Sequence, residues 1–197
     1  KKRERACHAE LRLNRRTAPG LYLRVSAITR DRAGVLAFDA DGEVLDWVVV
    51  MRRFPQSALF DRMALAGELT PSLMQTLGVE VARFHAGAER TPAFGGSAGI
   101  RRSIETNHQE LRRQCALLDG NAVQALYRDQ LALLDQLSTE LDRRRRDGCV
   151  RRCHGDMRLA NICLFEGRPT LFDGIEFSDE IACIDVLHDL AFVLMDL

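Results

Sequence analysis

Three polar residues in the last quarter of the sequence have the types and spacing of a site that moves a proton and holds a metal ion. Asp156 ends a His-Gly-Asp sequence, and Asn161 lies five residues after it. Asp173 follows twelve residues later, at the end of a short apolar segment. The carboxylate of Asp156 can position a hydroxyl group and accept its proton. The oxygens of Asn161 and Asp173 are the hard ligands that Mg²⁺ prefers.

These groups meet the needs of phosphoryl transfer from ATP to a hydroxyl. That reaction depends mainly on positioning and on electrostatic stabilisation of the phosphates, and it needs a carboxylate base, oxygen ligands for Mg²⁺ and a rigid frame. The turn residues 166–169 separate two apolar segments and predict a hairpin, which would bring Asn161 and Asp173 to one ion. The sequence therefore predicts ATP and Mg²⁺ as cofactors, Asp156 as the catalytic base, and Asn161 and Asp173 as metal ligands.

Helices and strands alternate around these residues in an order that indicates an α+β protein with two lobes. The hydrophobic spacing predicts the following segments: a helix over 1–16, β structure over 21–52, mainly helix over 56–146, a hairpin over 161–172 and a last helix over 184–197. Within the β region, strands are expected at 35–38 and 44–51. The nearly continuous apolar run Trp47–Met51 is typical of a strand buried on both faces.

The central helical region divides at turn and cap signals. Thr70 followed by Pro71 predicts a helix start, and the apolar spacing continues to about His85. Residues 91–99 are expected to form a plain loop, since no strand precedes the glycines and no Gly-Lys-Ser/Thr follows them. Two further helices are predicted over about 100–118 and 121–146.

The chain resembles the kinase-like aminoglycoside phosphotransferase superfamily, whose members carry His-Gly-Asp-x-x-x-x-Asn in the catalytic loop. The sequences LFDGIEF and DLA are also similar, and a bacterial subgroup of predicted enzymes has stretches similar to ELRLNRR, MRRFPQ, GELTP and DLAFVLMDL. The resemblance covers almost the whole chain. It implies a protein-kinase-like two-lobed fold, with 1–54 as a partial β-rich N-lobe and 55–197 as a mainly helical C-lobe that carries the catalytic-loop hairpin.

The resemblance also implies roles for residues that spacing alone does not assign. His154 would brace the catalytic loop, and Arg158 lies where protein kinases place a phosphate-contacting lysine. Asp189 would tie the start of a helix to the catalytic loop. The hinge that meets the adenine of ATP would fall at the end of the last strand, on Met51, Arg52 and Arg53.

Glu10 has no basic residue three or four positions away, although its helix is rich in arginine. A cation from elsewhere would satisfy it, and the resemblance makes that cation the lysine that contacts ATP. The two lysines of the chain are Lys1 and Lys2, on the same helix and too close to Glu10. We therefore expect the chain to be a piece of a longer protein that is inactive by itself, with a degenerate relative as the alternative.

Composition narrows the classes of partner. The formal net charge is zero, which gives no overall attraction to nucleic acid or anionic membrane. The run Arg143–Arg146 is expected to be a solvated helix end, and no apolar run approaches the roughly 20 residues that span a bilayer. The six cysteines include no C-x-x-C pair, so buried free thiols in a cytoplasmic protein are expected rather than disulfides or zinc.

Several questions stay open at the level of sequence. The predicted acceptor is the hydroxyl of a small molecule, but residues 100–148 hold eight acids and nine arginines and do not favour a polycationic aminoglycoside over a sugar or amino alcohol. The missing lysine leaves a non-catalytic, pseudokinase-type nucleotide-binding or regulatory module as the alternative function.

Glu176 either supports the metal site or faces solvent, and Asp185 is expected at a helix start. The oligomeric state is not predicted.

Overall fold

A helix and a three-stranded antiparallel sheet form the first part of the computed structural model, which describes residues 1–114 and 117–197. The helix α1 spans Lys2–Asn14. The strands β1, β2 and β3 span Tyr22–Arg30, Leu36–Phe38 and Glu43–Met51, and they are arranged in the order β2-β1-β3. The predicted helix over 1–16 and β structure over 21–52 are confirmed.

Burial in this sheet differs from the prediction for Trp47–Met51. That segment is half-buried, and Met51 is exposed, so the expectation of a strand buried on both faces is wrong. The reason is the strand order. Strand β3 lies at the edge of the sheet with β1 as its one neighbouring strand among the described residues, so its residues are covered less completely than those of the central strand β1. Helix α1 covers one face of β3, where the Cys7 thiol donates a hydrogen bond to the Trp47 carbonyl at 3.5 Å.

Helices dominate the middle of the chain, as predicted. Thr70 caps α3, since its Oγ1 accepts a hydrogen bond from the Leu73 amide at 3.2 Å, and Pro71 is the first helical residue. A 3-10 turn at Gln56–Ala58 precedes four helices: α2 Phe60–Leu65, α3 Pro71–Gly87, α4 Gly96–Arg113 and α5 Gly120–Arg146.

Helix α4 is displaced from its predicted bounds. It begins at Gly96, so the predicted loop over 91–99 ends early, and the Ser97 amide at this helix start donates to the Asp142 carboxylate of α5 at 2.9 Å. Helix α4 ends at Arg113, and Leu117 and Leu118 are not helical, so the prediction of a helix to 118 is wrong. Cys115 lies outside the described residues.

The last part of the chain contains short strands and the predicted hairpin. The hairpin strands β5 and β6 pair antiparallel, after a 3-10 turn at Leu159–Asn161. The elements are β4 Val150–Arg152, β5 Ile162–Phe165, β6 Arg168–Leu171, α6 Asp179–Ala182, β7 Cys183–Asp185 and α7 Val186–Asp196.

The predicted helix over 184–197 begins two residues late. Ile184 and Asp185 belong to β7, which pairs with β4, and the Asp185 carboxylate accepts the Leu187 amide at 2.8 Å as the cap of α7. The same carboxylate forms a bidentate ion pair with Arg144, with both distances 2.8 Å. The expectation that Arg143–Arg146 is wholly solvated is therefore wrong for Arg144, which holds the start of α7.

Two apolar clusters join these elements. The larger one packs α2, α3, the hairpin region and α7 together through Phe60, Met63, Leu77, Val81, Met157, Leu159, Ile162, Leu171 and Val193. The smaller one joins the first part of the chain to the hairpin through Ala18, Leu21, Tyr22 and Cys163. The architecture is the α+β, kinase-like one that was predicted, and the division into lobes at residue 54 stays a prediction. Among the described residues, each helix is too short or too polar to cross a bilayer.

Phe60→Ala should lower the free energy of unfolding by about 3–5 kcal/mol, because the Phe60 ring is fully buried in the larger cluster and its removal leaves a cavity. Phe177→Ala is the matched control, since the Phe177 side chain is 71% exposed, and its effect should stay within about 0.5 kcal/mol. Urea denaturation followed by circular dichroism measures both. Equal effects of the two substitutions would contradict this description of the core.

Candidate active site

The segment before Asp156, which the resemblance assigns to the catalytic loop, is bonded to one buried carboxylate. Asp189, in the first turn of α7, accepts hydrogen bonds from the amides of Gly155 at 2.9 Å and His154 at 3.1 Å, and from Nε2 of His85 at 2.8 Å. Burial alone would raise the pKa of Asp189, but the hydrogen bonds from His85, Gly155 and His154 lower it below its ordinary value. The segment is thus held by a fixed anion, as the resemblance implied for Asp189.

The ring of His154 connects this segment to the one that carries Asp173. Its Nε2 donates to the Phe172 carbonyl at 2.8 Å, and its backbone carbonyl accepts the Ile175 amide at 2.8 Å. Burial lowers the pKa of His154, so the ring is neutral and Nδ1 carries a lone pair. Nδ1 has no hydrogen-bond partner among the described residues. His154 therefore lies between the two segments that the proposed base and the proposed metal ligand occupy.

The carboxylate of Asp156 is oriented by two neighbours and stays partly open. Asn161 Nδ2 donates to the Asp156 backbone carbonyl at 2.8 Å and to its Oδ2 at 2.9 Å. Arg158 donates to both carboxylate oxygens, at 2.8 and 2.9 Å. The Asp156 side chain remains 28% exposed, so a substrate group can still reach it. Three of the predicted site residues are thus in direct contact.

Asp173 has an unusual backbone conformation and a free side chain. Its φ of 62° lies in the left-handed region that residues with a Cβ rarely adopt. Its amide donates to the Tyr22 hydroxyl at 3.1 Å, and the Gly174 amide donates to Asn14 Oδ1 at 2.7 Å. Within the described part of the chain, the Asp173 carboxylate takes part in no ion pair or hydrogen bond and is exposed.

Tyr22 and Asn14 were missed by the sequence reasoning. The one available signal was that Asn14 lies four residues after Glu10, on the same apolar side of a helix otherwise rich in arginine. Nothing in the sequence connects Asn14 to Gly174, which is 160 positions away. Burial raises the pKa of the Tyr22 hydroxyl, so this group stays protonated and neutral beside the carboxylates.

Glu10 lies among other acidic groups rather than beside a cation. Burial raises the pKa of Glu10, and the nearby carboxylates of Glu176 and Asp173 raise it further. No ion pair in residues 1–114 or 117–197 includes Glu10, so the expected cation is not supplied by the described residues. Glu176 is half-buried and its charge raises the pKa of Glu10, and a role for it at the metal site stays a prediction.

The predicted hinge residues lie at the end of β3 and are exposed. The Arg52 amide donates to the Leu21 carbonyl at 2.8 Å, and its guanidinium pairs with Glu166 at 2.7 Å in the turn of the hairpin. Arg52 is therefore used within the chain by both its backbone and its side chain. A contact of Met51, Arg52 or Arg53 with adenine stays a prediction.

A buried trio of possible ligand atoms, from His85, Cys153 and Asp189, lies close to the catalytic loop. We interpret it as a hydrogen-bonded core cluster. Burial raises the pKa of the Cys153 thiol, so it stays protonated, and its Sγ donates to the Ile184 carbonyl at 3.4 Å. The five described cysteines are free thiols, four of them buried, as predicted, and Cys115 lies outside the described residues.

Comparison with known proteins agrees with this geometry. The model of the Phosphotransferase enzyme family matches residues 2–197. The chain belongs to this family. Uncharacterized proteins of Mycobacterium bovis and Mycobacterium tuberculosis are each 29% identical to it over 199 residues, which cover 99% of this chain and 38% of the relative. The phosphotransferase-family chain thus spans well under half of these relatives, and no solved structure matches it.

Asp189→Asn should lower the free energy of unfolding at pH 7 by about 3 kcal/mol or more, because it removes the buried anion that three donors face. The pKa of an aspartate in an unfolded chain is about 4, and the pKa of Asp189 in the folded protein is lower. Asp189 therefore stabilises the fold fully above about pH 4, and this stabilisation is lost as the pH falls through the pKa of the folded state. The difference in the free energy of unfolding between the wild type and Asp189→Asn should therefore become smaller in acid.

Urea denaturation at several pH values between 7 and 3 measures this difference. The control is Asp129→Asn, which changes an exposed aspartate of α5 and should leave the free energy of unfolding nearly unchanged. A difference that stays constant down to pH 3 would show that the Asp189 carboxylate does not carry this stabilisation.

Proposed function

We propose that this protein is a cytoplasmic small-molecule kinase, which moves the γ-phosphate of ATP to a hydroxyl group with Asp156 as the base. One observation carries the proposal: Asn161 Nδ2 binds both the backbone carbonyl and the carboxylate of Asp156. The same amide group thereby orients the base and leaves its own Oδ1 for another partner. Family membership over residues 2–197 supports a phosphotransferase reaction in general.

The residues present fit Mg²⁺ by the chemistry of their donor atoms. Asn161 Oδ1 and the carboxylate of Asp173 are both hard oxygens, and neither has a hydrogen-bond partner within the described residues. Mg²⁺ held there would bind the phosphate oxygens of ATP and offset their negative charge. Glu176 and Glu10 add negative charge nearby, which favours a cation at this place.

The chain's own residues would handle the proton and the geometry. The substrate hydroxyl oxygen attacks the γ-phosphorus, the bond from that phosphorus to the β-phosphate oxygen breaks, and the hydroxyl proton passes to the Asp156 carboxylate. Asn161 and Arg158 hold that carboxylate in place. The Arg158 side chain is 52% exposed and therefore accessible to a phosphate, which is the contact that the resemblance implies for it.

The acceptor is proposed only as a small molecule with a hydroxyl group. The mixed charge of residues 100–148 does not single out a polycation, so the family label does not identify the substrate. We expect neither nucleic acid nor membrane as a partner. The second candidate, a nucleotide-binding module without catalysis, is supported by the position of Glu10, whose pKa is raised by burial without a cation beside it among the described residues.

Asp156→Asn should lower kcat by about 10²- to 10⁴-fold, because the amide cannot accept the hydroxyl proton. ADP formation by the full-length protein is measured with Mg²⁺, ATP and a panel of sugars, amino alcohols and other hydroxylated metabolites. The control Asp129→Asn should keep wild-type turnover, since this aspartate lies exposed on α5.

The outcomes separate the two candidates. Turnover that survives Asp156→Asn would refute Asp156 as the base. ATP binding without turnover of any acceptor, in the presence of Mg²⁺, would favour the non-catalytic module. Turnover that needs Mg²⁺ and is lost in Asp156→Asn and in Asp173→Asn supports the kinase.

A further inference from the structure

Two side chains from the first 22 residues hold the backbone of the proposed metal ligand Asp173. The amide of Asp173 donates to the Tyr22 hydroxyl at 3.1 Å, and the next amide, that of Gly174, donates to Asn14 Oδ1 at 2.7 Å. These contacts span 151 and 160 positions of sequence. Two consecutive amides of one loop are thus bound by side chains from two different elements. Asn14 lies at the end of α1, and Tyr22 lies at the start of β1.

Both side chains are rigidly placed. Asn14 is 2% exposed, and its Nδ2 donates to the Glu10 carbonyl at 3.1 Å, which directs Oδ1 toward Gly174. Tyr22 is 1% exposed, and its ring packs in the smaller apolar cluster. Buried groups fixed in this way lose little freedom when they accept a hydrogen bond, so they can impose a conformation on the loop.

The loop needs such support. Strand β6 ends at Leu171, so the amides of Asp173 and Gly174 have no strand partner. Asp173 has a φ of 62°, a conformation that costs free energy for a residue with a Cβ and that surrounding contacts help to hold. Gly174 is buried, and its amide would be unsatisfied without Asn14. If either acceptor were lost, the loop could relax and the Asp173 carboxylate would change its direction.

We propose that Tyr22 and Asn14 are positioning residues that set the metal affinity of the site through the backbone of Asp173. The inference rests on the proposed function, in which Asp173 binds Mg²⁺. It also connects the metal site to α1. Arg16, just after this helix, donates to the carbonyls of Arg152 and Cys153 at 2.7 and 3.1 Å, directly before His154. The end of α1 thus holds both the metal loop and the strand that leads into the catalytic loop.

The test measures Mn²⁺ binding to the full-length protein by electron paramagnetic resonance of free Mn²⁺. Tyr22→Phe removes only the hydroxyl. Asn14→Leu keeps the branched shape of the side chain but removes both the Oδ1 acceptor and the Nδ2 donor to the Glu10 carbonyl. Each should weaken Mn²⁺ binding about three- to tenfold, the range that one lost hydrogen bond accounts for. The matched control is Tyr127→Phe, since this other tyrosine stacks on His108 between α4 and α5 and should leave Mn²⁺ binding unchanged.

Hydrogen exchange at the amides of Asp173 and Gly174 tests the same contacts without relying on a variant. Both amides should be protected in the wild type. Tyr22→Phe should speed exchange at Asp173, and Asn14→Leu should speed it at Gly174. Wild-type amides that exchange at unprotected rates would overturn the proposal, even if a variant did not fold.

Asp173→Asn separates this proposal from the proposed function. If the wild type binds Mn²⁺, Asp173→Asn does not, and the two positioning variants bind as the wild type does, then only the positioning role is wrong. The positioning role is also wrong if Tyr22→Phe and Asn14→Leu speed amide exchange at Asp173 and Gly174 but bind Mn²⁺ as tightly as the wild type does. If Asp173→Asn binds Mn²⁺ as tightly as the wild type, the proposed metal ligand is wrong, and the positioning role falls with it.

Discussion

The carboxylate of Asp189 is the constraint on which the rest of the site depends. A fully buried anion is costly unless donors surround it, and the donors here are the amides of His154 and Gly155 and the ring of His85. The structure satisfies this charge by bringing α3, α7 and the loop before Asp156 together. The stability of the fold and the place of the proposed base are therefore linked through one side chain.

Around this centre, the site is held from several directions by groups that are themselves fixed. His154 donates to the Phe172 carbonyl, Asn161 binds Asp156, and Asn14 and Tyr22 accept the amides of the Asp173 loop. Phosphoryl transfer depends on groups that do not have to reorganise during the reaction. The arrangement agrees with that need, and it explains why polar side chains as buried as Asn14 occur in a chain of ordinary composition.

Much of the fold could be predicted because local signals and tertiary structure agree. Thr70 and Pro71 start α3, and the turn at 166–169 joins the two strands of the hairpin. Two predictions failed because the tertiary arrangement overrode the local pattern. Ile184 and Asp185 have a helical pattern but pair with β4, and Trp47–Met51 has a buried pattern but lies in an edge strand.

The sequence by itself determined which chemical groups are present, since the residue types and spacing of Asp156, Asn161 and Asp173 predict a base and two oxygen ligands. Only the tertiary structure decided what orients them. The acceptors for Asp173 and Gly174 lie 151 and 160 positions away, and hydrophobic periodicity carries no information about a hydrogen bond over that distance. Such contacts form only when packing of the apolar clusters brings α1 and β1 against the hairpin.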